Sequence, residues 1–175
     1  MKNIVLAIVL LQSGFLFCTP QIMDRMYVEG ENLQILNSPL APIFSSKGET
    51  WLEEVWFVVV PQFECSASWH GFYVQWSIEN DKLYMEAIFG DPCSEEPNLI
   101  DSHVIFPDMS YPIFAEWFSG EIPVQVSELS YVENVIVDGE ERAFWHKCTA
   151  KYFKFESGIF KGFETRETFV DCYVF

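Results

Sequence analysis

The chain has few basic residues and few histidines. It contains 10 Lys and Arg against 26 Asp and Glu, with three His, and its formal net charge is −16. Such a surface repels nucleic acid and anionic membranes and attracts basic proteins at long range. We therefore expect no nucleic-acid partner. The same charge also keeps a domain so rich in aromatic residues dispersed in water.

The sequence also lacks the short motifs of common chemistry. It has no Gly-x-Ser-x-Gly elbow, no phosphate-binding loop, no dinucleotide fingerprint and no Cys-x-x-Cys pair. Its histidines, His70, His103 and His146, do not stand at metal-ligand spacing. Cys65 with His70 or His146 would need a lowered thiol pKa to be nucleophilic, and nothing nearby indicates one. We predict no catalytic residue, no metal and no cofactor.

Acidic residues are concentrated in the first part of the chain. Before Arg142 there are 22 acidic and four basic residues, and from Arg142 onward there are four acidic and six basic ones. Long-range attraction of a basic partner is therefore expected from the first part, whereas the last strands are slightly basic.

Residues 1–22 have the pattern of an export signal or N-terminal anchor. Lys2 precedes the apolar run 4–11, an arrangement typical of a secretory signal peptide. This interpretation places the protein in the periplasm or cell envelope, with membrane contact only through this segment. The bulky residues before Cys18 make a poor cleavage site, so translation starting at Met23, and a cytoplasmic protein, is the alternative. In either case residues 23–175 form a single globular domain.

Four further cysteines are compatible with two disulfides. Cys65, Cys93, Cys148 and Cys172 allow three pairings in an oxidising compartment. Buried free thiols are the alternative, because cysteine is a common core residue.

Residues 71–89 show the clearest strand pattern. Every second residue from Phe72 to Ile78 is apolar, which is typical of a strand with one buried face. Asn80-Asp81 suits a tight turn. The return strand is then expected to place Leu83, Met85, Ala87 and Phe89 on one side.

Other apolar patterns extend this interpretation to most of the chain. The run 55–60 predicts a buried strand, with a short helix over 51–56 as the alternative. In the strand predicted over 143–155, the apolar phase changes at Phe153, which indicates a β-bulge. The predicted fold is therefore α+β and β-rich, a mainly antiparallel sheet built from hairpins with one or two short helices packed on it.

One of these helices is predicted in residues 107–122. Phe114 and Phe118 stand four residues apart and would share a helical face, and Gly120 suits a left-handed cap. Aromatic residues of this kind serve more often as core than as surface anchors. If some are anchors, the binding candidates are Trp69, Trp76, Glu116, Trp117 and Phe118.

Several motifs resemble those of an uncharacterised family of small bacterial proteins. They are Trp69-His-Gly-Phe72, Lys82-Leu-Tyr-Met85 and Phe114-Ala-Glu-Trp-Phe-Ser-Gly-Glu121. They are similar to that family's Trp-x-Gly-Tyr strand, Lys-Leu-Tyr strand and Phe-Ala-x-Trp-Phe-Ser-Gly-Glu block, over about residues 23–162. The resemblance implies no activity and no catalytic residue, because the family has none assigned.

The features together favour a non-catalytic protein-binding domain of the immunity type. Its expected partner is a basic protein such as a toxin. The alternative is an envelope carbohydrate-binding or glycan-acting protein that uses Trp69, Trp76 or Trp117. A structural protein of the envelope is the third hypothesis.

Overall fold

The computed structural model describes residues 22–47, 71–132, 135–137, 139–142 and 145–171. The predicted signal or anchor at residues 1–22 falls outside these ranges except for Ile22, and the segment 51–60, predicted as a strand, lies wholly outside them. Most described residues lie in strands of one mixed, mostly antiparallel sheet, which confirms the predicted β-rich fold. Neither helix in the described ranges is long and apolar enough to cross a membrane.

The described residues form twelve strands and two short helices. The strands are β1 (Arg25–Val28), β2 (Glu31–Gln34), β3 (Phe72–Glu79), β4 (Lys82–Gly90), β5 (Asn98–Ile100), β6 (Ile113–Phe114), β7 (Gly120–Gln125), β8 (Ser130–Val132), β9 (Val135–Val137), β10 (Glu140–Arg142), β11 (Trp145–Glu156) and β12 (Ile159–Asp171). Helix α1 spans Ala41–Lys47, and a 3₁₀ helix spans Ser102–Val104.

The main sheet curls until its two ends meet. Its strand order is β2-β1-β3-β4-β12-β11-β7, with β5 and β6 also on β4 and β8 on β11. Among the described pairs only β1 and β3 run parallel. Ile35, directly after β2, bridges Val124 in β7, and the Leu36 N–H donates to the Pro123 carbonyl at 2.8 Å. The strands β9 and β10 form a separate pair.

Apolar side chains on the inner face of this curled sheet form the core. Trp76, Met85, Ile88 and Val124 are all fully buried there. Because successive strand residues point to opposite faces, the inward position of Trp76 directs Tyr73, Gln75 and Ser77 outward. From α1, Phe44 packs edge-on against Phe72 at 6.2 Å between ring centroids.

The predicted inner face of β4 is correct only for its first half. The pairing register of β3 and β4 shifts where Gln75 faces Ala87 but Trp76 faces Met85, so Glu86 is an extra residue. This bulge lets Met85 and Ile88, three residues apart, both point inward. The placement of Phe89 on the same side as Met85 is therefore wrong, and Phe89 lies on the outer face opposite Tyr73.

The helix predicted in residues 107–122 is also wrong. Ile113 and Phe114 form β6 on the edge of β4, and the Ala115 N–H donates to the Leu83 carbonyl at 2.9 Å. A single turn follows, in which the Phe118 N–H donates to the Ala115 carbonyl. The edge of β4 supplies backbone hydrogen-bond partners, and these stabilise a strand here more than the spacing of the aromatic residues would stabilise a helix. Gly120 accordingly begins β7 and caps no helix.

The bulge predicted in β11 lies instead in its partner strand. Lys154 faces Gly162 and Phe155 faces Phe160, so the extra residue is Lys161 in β12. Both Phe153 and Phe155 are buried, as the change of apolar phase in the sequence indicates.

The turn between β11 and β12 is packed between two other segments. Ser157 and Gly158 have positive φ angles of 48° and 73°. The Gly158 N–H donates to the Phe118 carbonyl at 2.8 Å, and the Leu83 N–H donates to the Gly158 carbonyl at 2.9 Å. A Cβ atom on Gly158 would lie 2.6 Å from the Ala115 carbonyl oxygen, so only glycine fits this contact.

We expect Gly158→Ala to destabilise the fold severely. Gly30 is the matched control, because it has a positive φ of 92° in the turn between β1 and β2 with nothing within 4 Å of an added Cβ. Both substitutions strain the backbone, but only Gly158→Ala creates a collision, which should cost about 2 kcal/mol more. Urea unfolding followed by tryptophan fluorescence measures both free energies. Equal losses in the two variants would contradict the packing described.

Tyr111 closes the loop that follows β5. Its hydroxyl donates to the Ile100 carbonyl at 3.1 Å. Burial raises the pKa of the Tyr111 phenol from its ordinary value of 10.0 to about 12. The folded protein therefore keeps a proton that the unfolded chain loses between these two values.

This difference makes the folded state less stable as the pH rises from about 10 to about 12, because the unfolded chain binds fewer protons there. We expect the free energy of unfolding to fall less steeply over this interval in Tyr111→Phe than in the wild type. Urea titrations at several alkaline pH values measure the two slopes. Parallel slopes would show that the Tyr111 phenol titrates alike in the folded and unfolded chains.

Candidate functional site

The outer face of β1, β3 and β4 and the adjoining short strands carries a continuous set of large side chains. Register places them on one side of the sheet: Tyr27 beside Ser77, Tyr73 opposite Phe89, Phe89 opposite Leu99, and Tyr84 between Ser77 and Phe114. We call Tyr27, Tyr73, Tyr84, Phe89, Leu99 and Phe114 the outer aromatic face. Tyr27 is 51% exposed and Leu99 is 63% exposed, and the other four are half-buried.

Tyr73 is the best-positioned ring of this face. It stacks on Phe89 from β4, with ring centroids 5.2 Å apart and an interplanar angle of 22°. The Arg25 guanidinium from β1 lies 5.2 Å from the centroid of the same ring. Since β1 and β4 flank β3 on opposite sides, Tyr73 is held between a cation and an aromatic ring, and its edge and hydroxyl face outward.

A second aromatic pair lies toward the turn between β3 and β4. The rings of Tyr84 and Phe114 are 5.9 Å apart, and the Lys82 ammonium lies 5.3 Å from the Phe114 centroid. Between the two pairs, the buried Ser77 hydroxyl donates to the carboxylate of Glu86. The face thus combines aromatic and polar groups, and aromatic residues are enriched at protein interfaces.

The segments that carry the outer aromatic face are acidic. Residues 22–47 and 71–132, which contain all of its strands, hold 14 Asp and Glu but three Lys and Arg. Two of those three cations, Arg25 and Lys82, already lie over rings. This excess of negative charge attracts positively charged molecules at long range.

Trp76, one of the five binding candidates from the sequence, is fully buried in the core. Its indole N–H donates to Asp24 at 3.3 Å, and the other Asp24 carboxylate oxygen accepts from the Val74 N–H at 2.8 Å. The Ser38 hydroxyl donates to Asp24 as well, at 2.6 Å. Trp76 and Asp24 together join β3 to the chain before β1 and to the loop before α1.

The candidates in residues 116–118 differ in exposure. Phe118 is buried and meets Phe155 edge-on at 5.9 Å, and Glu116 is exposed in the turn. Trp117 is half-buried, stacks on Phe106 at 5.0 Å and donates its indole N–H to the Pro39 carbonyl at 3.1 Å. Only Glu116 of these three is free of a packing role. Trp69 lies outside the described residues.

The cysteines do not behave alike. Cys93 is disulfide-bonded, and its partner lies outside the described residues. Cys148 is a free, buried thiol, and burial raises its pKa. Because a raised pKa suppresses the thiolate, Cys148 is not suited to nucleophilic chemistry. Cys65 and Cys172 are outside the described ranges.

Other charged groups form local pairs that do not converge on a reaction centre. Arg166 donates to Glu121 and Glu164 at 2.6 and 2.5 Å, and Lys154 donates to Glu164 at 2.8 Å, which raises the Lys154 pKa. Asp101 accepts from the His103 backbone N–H and contacts its ring, and its pKa is lowered by these contacts. Within the described ranges, no three His, Cys, Asp or Glu side chains gather as a metal site would require.

The five binding candidates predicted from the sequence, three of which are tryptophans, include no residue of the outer aromatic face. The available signal was the position of Tyr73, which alternates with the buried Phe72 and Val74 and must point outward. Tyr27 and Leu99 gave no comparable signal, since their exposure depends on which strands pair.

Comparison with known proteins adds no relative. No protein-family model, no curated protein and no solved structure matches the chain. The resemblance to the small bacterial family therefore stays a prediction, and function is argued from the residues themselves.

Proposed function

We propose that the chain is a non-catalytic protein-binding domain of the immunity type, which blocks a basic protein such as a toxin through its outer aromatic face. The arrangement of Tyr73 between Arg25 and Phe89 carries the proposal. Tyrosine and arginine are the residues on which interface affinity most often depends. A ring held on both sides contributes contact area with little loss of conformational entropy.

The same arrangement favours a protein ligand over a sugar. A sugar stacks on a free ring face, but the two faces of Tyr73 are covered by Arg25 and Phe89. Phe114 likewise has the Lys82 ammonium above it. Ring edges, the Tyr73 hydroxyl and the exposed Leu99 remain available, and these suit the mixed surface of a protein.

The acidic surroundings support a basic partner. Opposite net charge accelerates encounter, and salt weakens the attraction because it screens exposed charges over about 10 Å at 0.1 M. Association should therefore slow with salt far more than dissociation accelerates.

Export of the protein remains part of the proposal. The disulfide at Cys93 supports an oxidising compartment such as the periplasm, where such bonds persist. The signal pattern of residues 1–22 agrees with that compartment. Mass spectrometry of the native amino terminus distinguishes export from a cytoplasmic protein starting at Met23.

We expect Tyr73→Ala to weaken partner binding by about 10- to 100-fold, as loss of a central tyrosine typically does. A basic protein is first captured by the full chain at low salt and identified, and its affinity is then measured with purified components by calorimetry. Tyr152→Ala is the matched control, because Tyr152 lies on β11, which β12 separates from β4, and the Arg166 guanidinium is 3.5 Å from its ring centroid.

Binding by Tyr152→Ala should stay within about twofold of the wild type, since Tyr152 lies outside the proposed interface. Equal losses in both variants would place the interface elsewhere. If the chain instead binds a glycan from a panel, and Tyr73→Ala abolishes that binding, the ligand is a sugar and not a protein. If the chain binds neither a basic protein nor a glycan, the proposed function is wrong.

A further inference from the structure

Strand β12 has a long edge without a partner in the described part of the chain. Along one side it pairs with β11 from Ile159 to Asp171. Along the other side it meets β4 at Ile159 opposite Lys82, and the Phe160 N–H donates to the Asp81 carbonyl. From Lys161 onward, no strand within the described ranges pairs with this side.

The side chains along this edge are open to solvent. Residues 165–167 are all exposed, and two large apolar side chains join them, Phe163 at 55% and Phe169 at 37% exposure. Phe163 and Phe169 lie on the same face, because their spacing is even and the pairing with β11 is regular between them. Lys151 covers part of Phe163, with its ammonium 5.3 Å from the ring centroid.

Strand β12 is long for a strand at the edge of a sheet. Strands β2 and β8 have four and three residues, and short edge strands offer little template for pairing. Strand β12 has 13 residues and no proline, and after its bulge at Lys161 its pairing with β11 is regular. An edge of this length, without a partner in the described part of the chain, can pair with another strand.

We propose that this edge pairs with the same edge of a second copy of the chain, in a two-fold antiparallel arrangement centred on Arg166. In this register Phe163 of each copy stands opposite Phe169 of the other, and Thr165 stands opposite Glu167. Both exposed aromatic residues of both copies are then buried, and the two sheets become continuous. The symmetric placement of Phe163 and Phe169, three residues on either side of Arg166, selects this register.

Charge favours a second copy at this edge. Residues 145–171 contain five basic and four acidic residues, so this part of the molecule is almost neutral while residues 22–132 are acidic. Two copies that meet along β12 therefore bring together segments that carry little net charge of their own. The two central Arg166 side chains are each compensated by Glu121 and Glu164 of their own copy.

The proposal is tested by sedimentation velocity on the full chain and on charged variants. The wild type should form dimers at about 100 µM chain, a concentration suited to a modest interface. Phe163→Lys or Phe169→Glu alone should weaken dimerisation at least about tenfold, because each removes both Phe163–Phe169 contacts and buries a charge with no opposite charge beside it. Leu99→Lys, at a more exposed apolar residue of the outer aromatic face, is the matched control and should leave dimerisation unchanged.

The register is tested by combining the two variants. An equimolar mixture of Phe163→Lys and Phe169→Glu chains should form mixed dimers, because Lys then faces Glu at one contact and Phe faces Phe at the other. The double variant should dimerise by itself for the same reason. Recovery in the mixture also shows that both single variants are folded.

Three results would overturn the proposal. They are a wild type that stays monomeric at about 100 µM, a loss of dimerisation in Leu99→Lys equal to that in the phenylalanine variants, and the absence of mixed dimers in the equimolar mixture. Tyr73→Ala separates this inference from the proposed function. It should leave the dimer intact while it weakens partner binding, since the two surfaces lie on different strands.

Discussion

The contact at Gly158 is the constraint on which the rest of the structure depends. At this point the turn between β11 and β12 meets Leu83 of β4 and the segment 115–118, through backbone hydrogen bonds in which Gly158 both donates and accepts. Among the described residues, the strand pairing between β12 and β4 is limited to Ile159 and Lys82. A side chain at Gly158 would collide with the Ala115 carbonyl and force this turn away from the segment 115–118.

Closure of the sheet divides the surface into regions with different chemistry. The inner face is filled by apolar side chains such as Trp76 and Val124, which leaves the outside to carry function. On β1, β3 and β4 that outside presents rings held by cations within an acidic field. On β11 the outer side instead carries the compensated charges around Arg166.

Strand positions were predictable wherever one face of the strand is buried along its whole length. The pattern 72–78 predicted β3, since alternation in sequence is alternation in space. Strand β4 shows where this reasoning fails. Its bulge at Glu86 is invisible in the apolar pattern, because Ile88 and Phe89 are both apolar and either could point inward. The pairing with β3 turns Ile88 inward and Phe89 outward, so Phe89 becomes part of the outer aromatic face.

The amino-acid sequence by itself determined the β-rich class, the acidic surface and the expectation of a binding function without catalysis, because composition and period-two alternation depend on local chemistry alone. Tertiary structure decided the rest. The aromatic spacing of residues 114–118 suits a helix, but the edge of β4 offers backbone partners that an isolated helix cannot match. Likewise, Tyr73 became a candidate contact residue only when β1 and β4 brought Arg25 and Phe89 to its two sides. Contacts between residues far apart in the sequence decide which strands become neighbours, so the candidate site forms only in the folded chain.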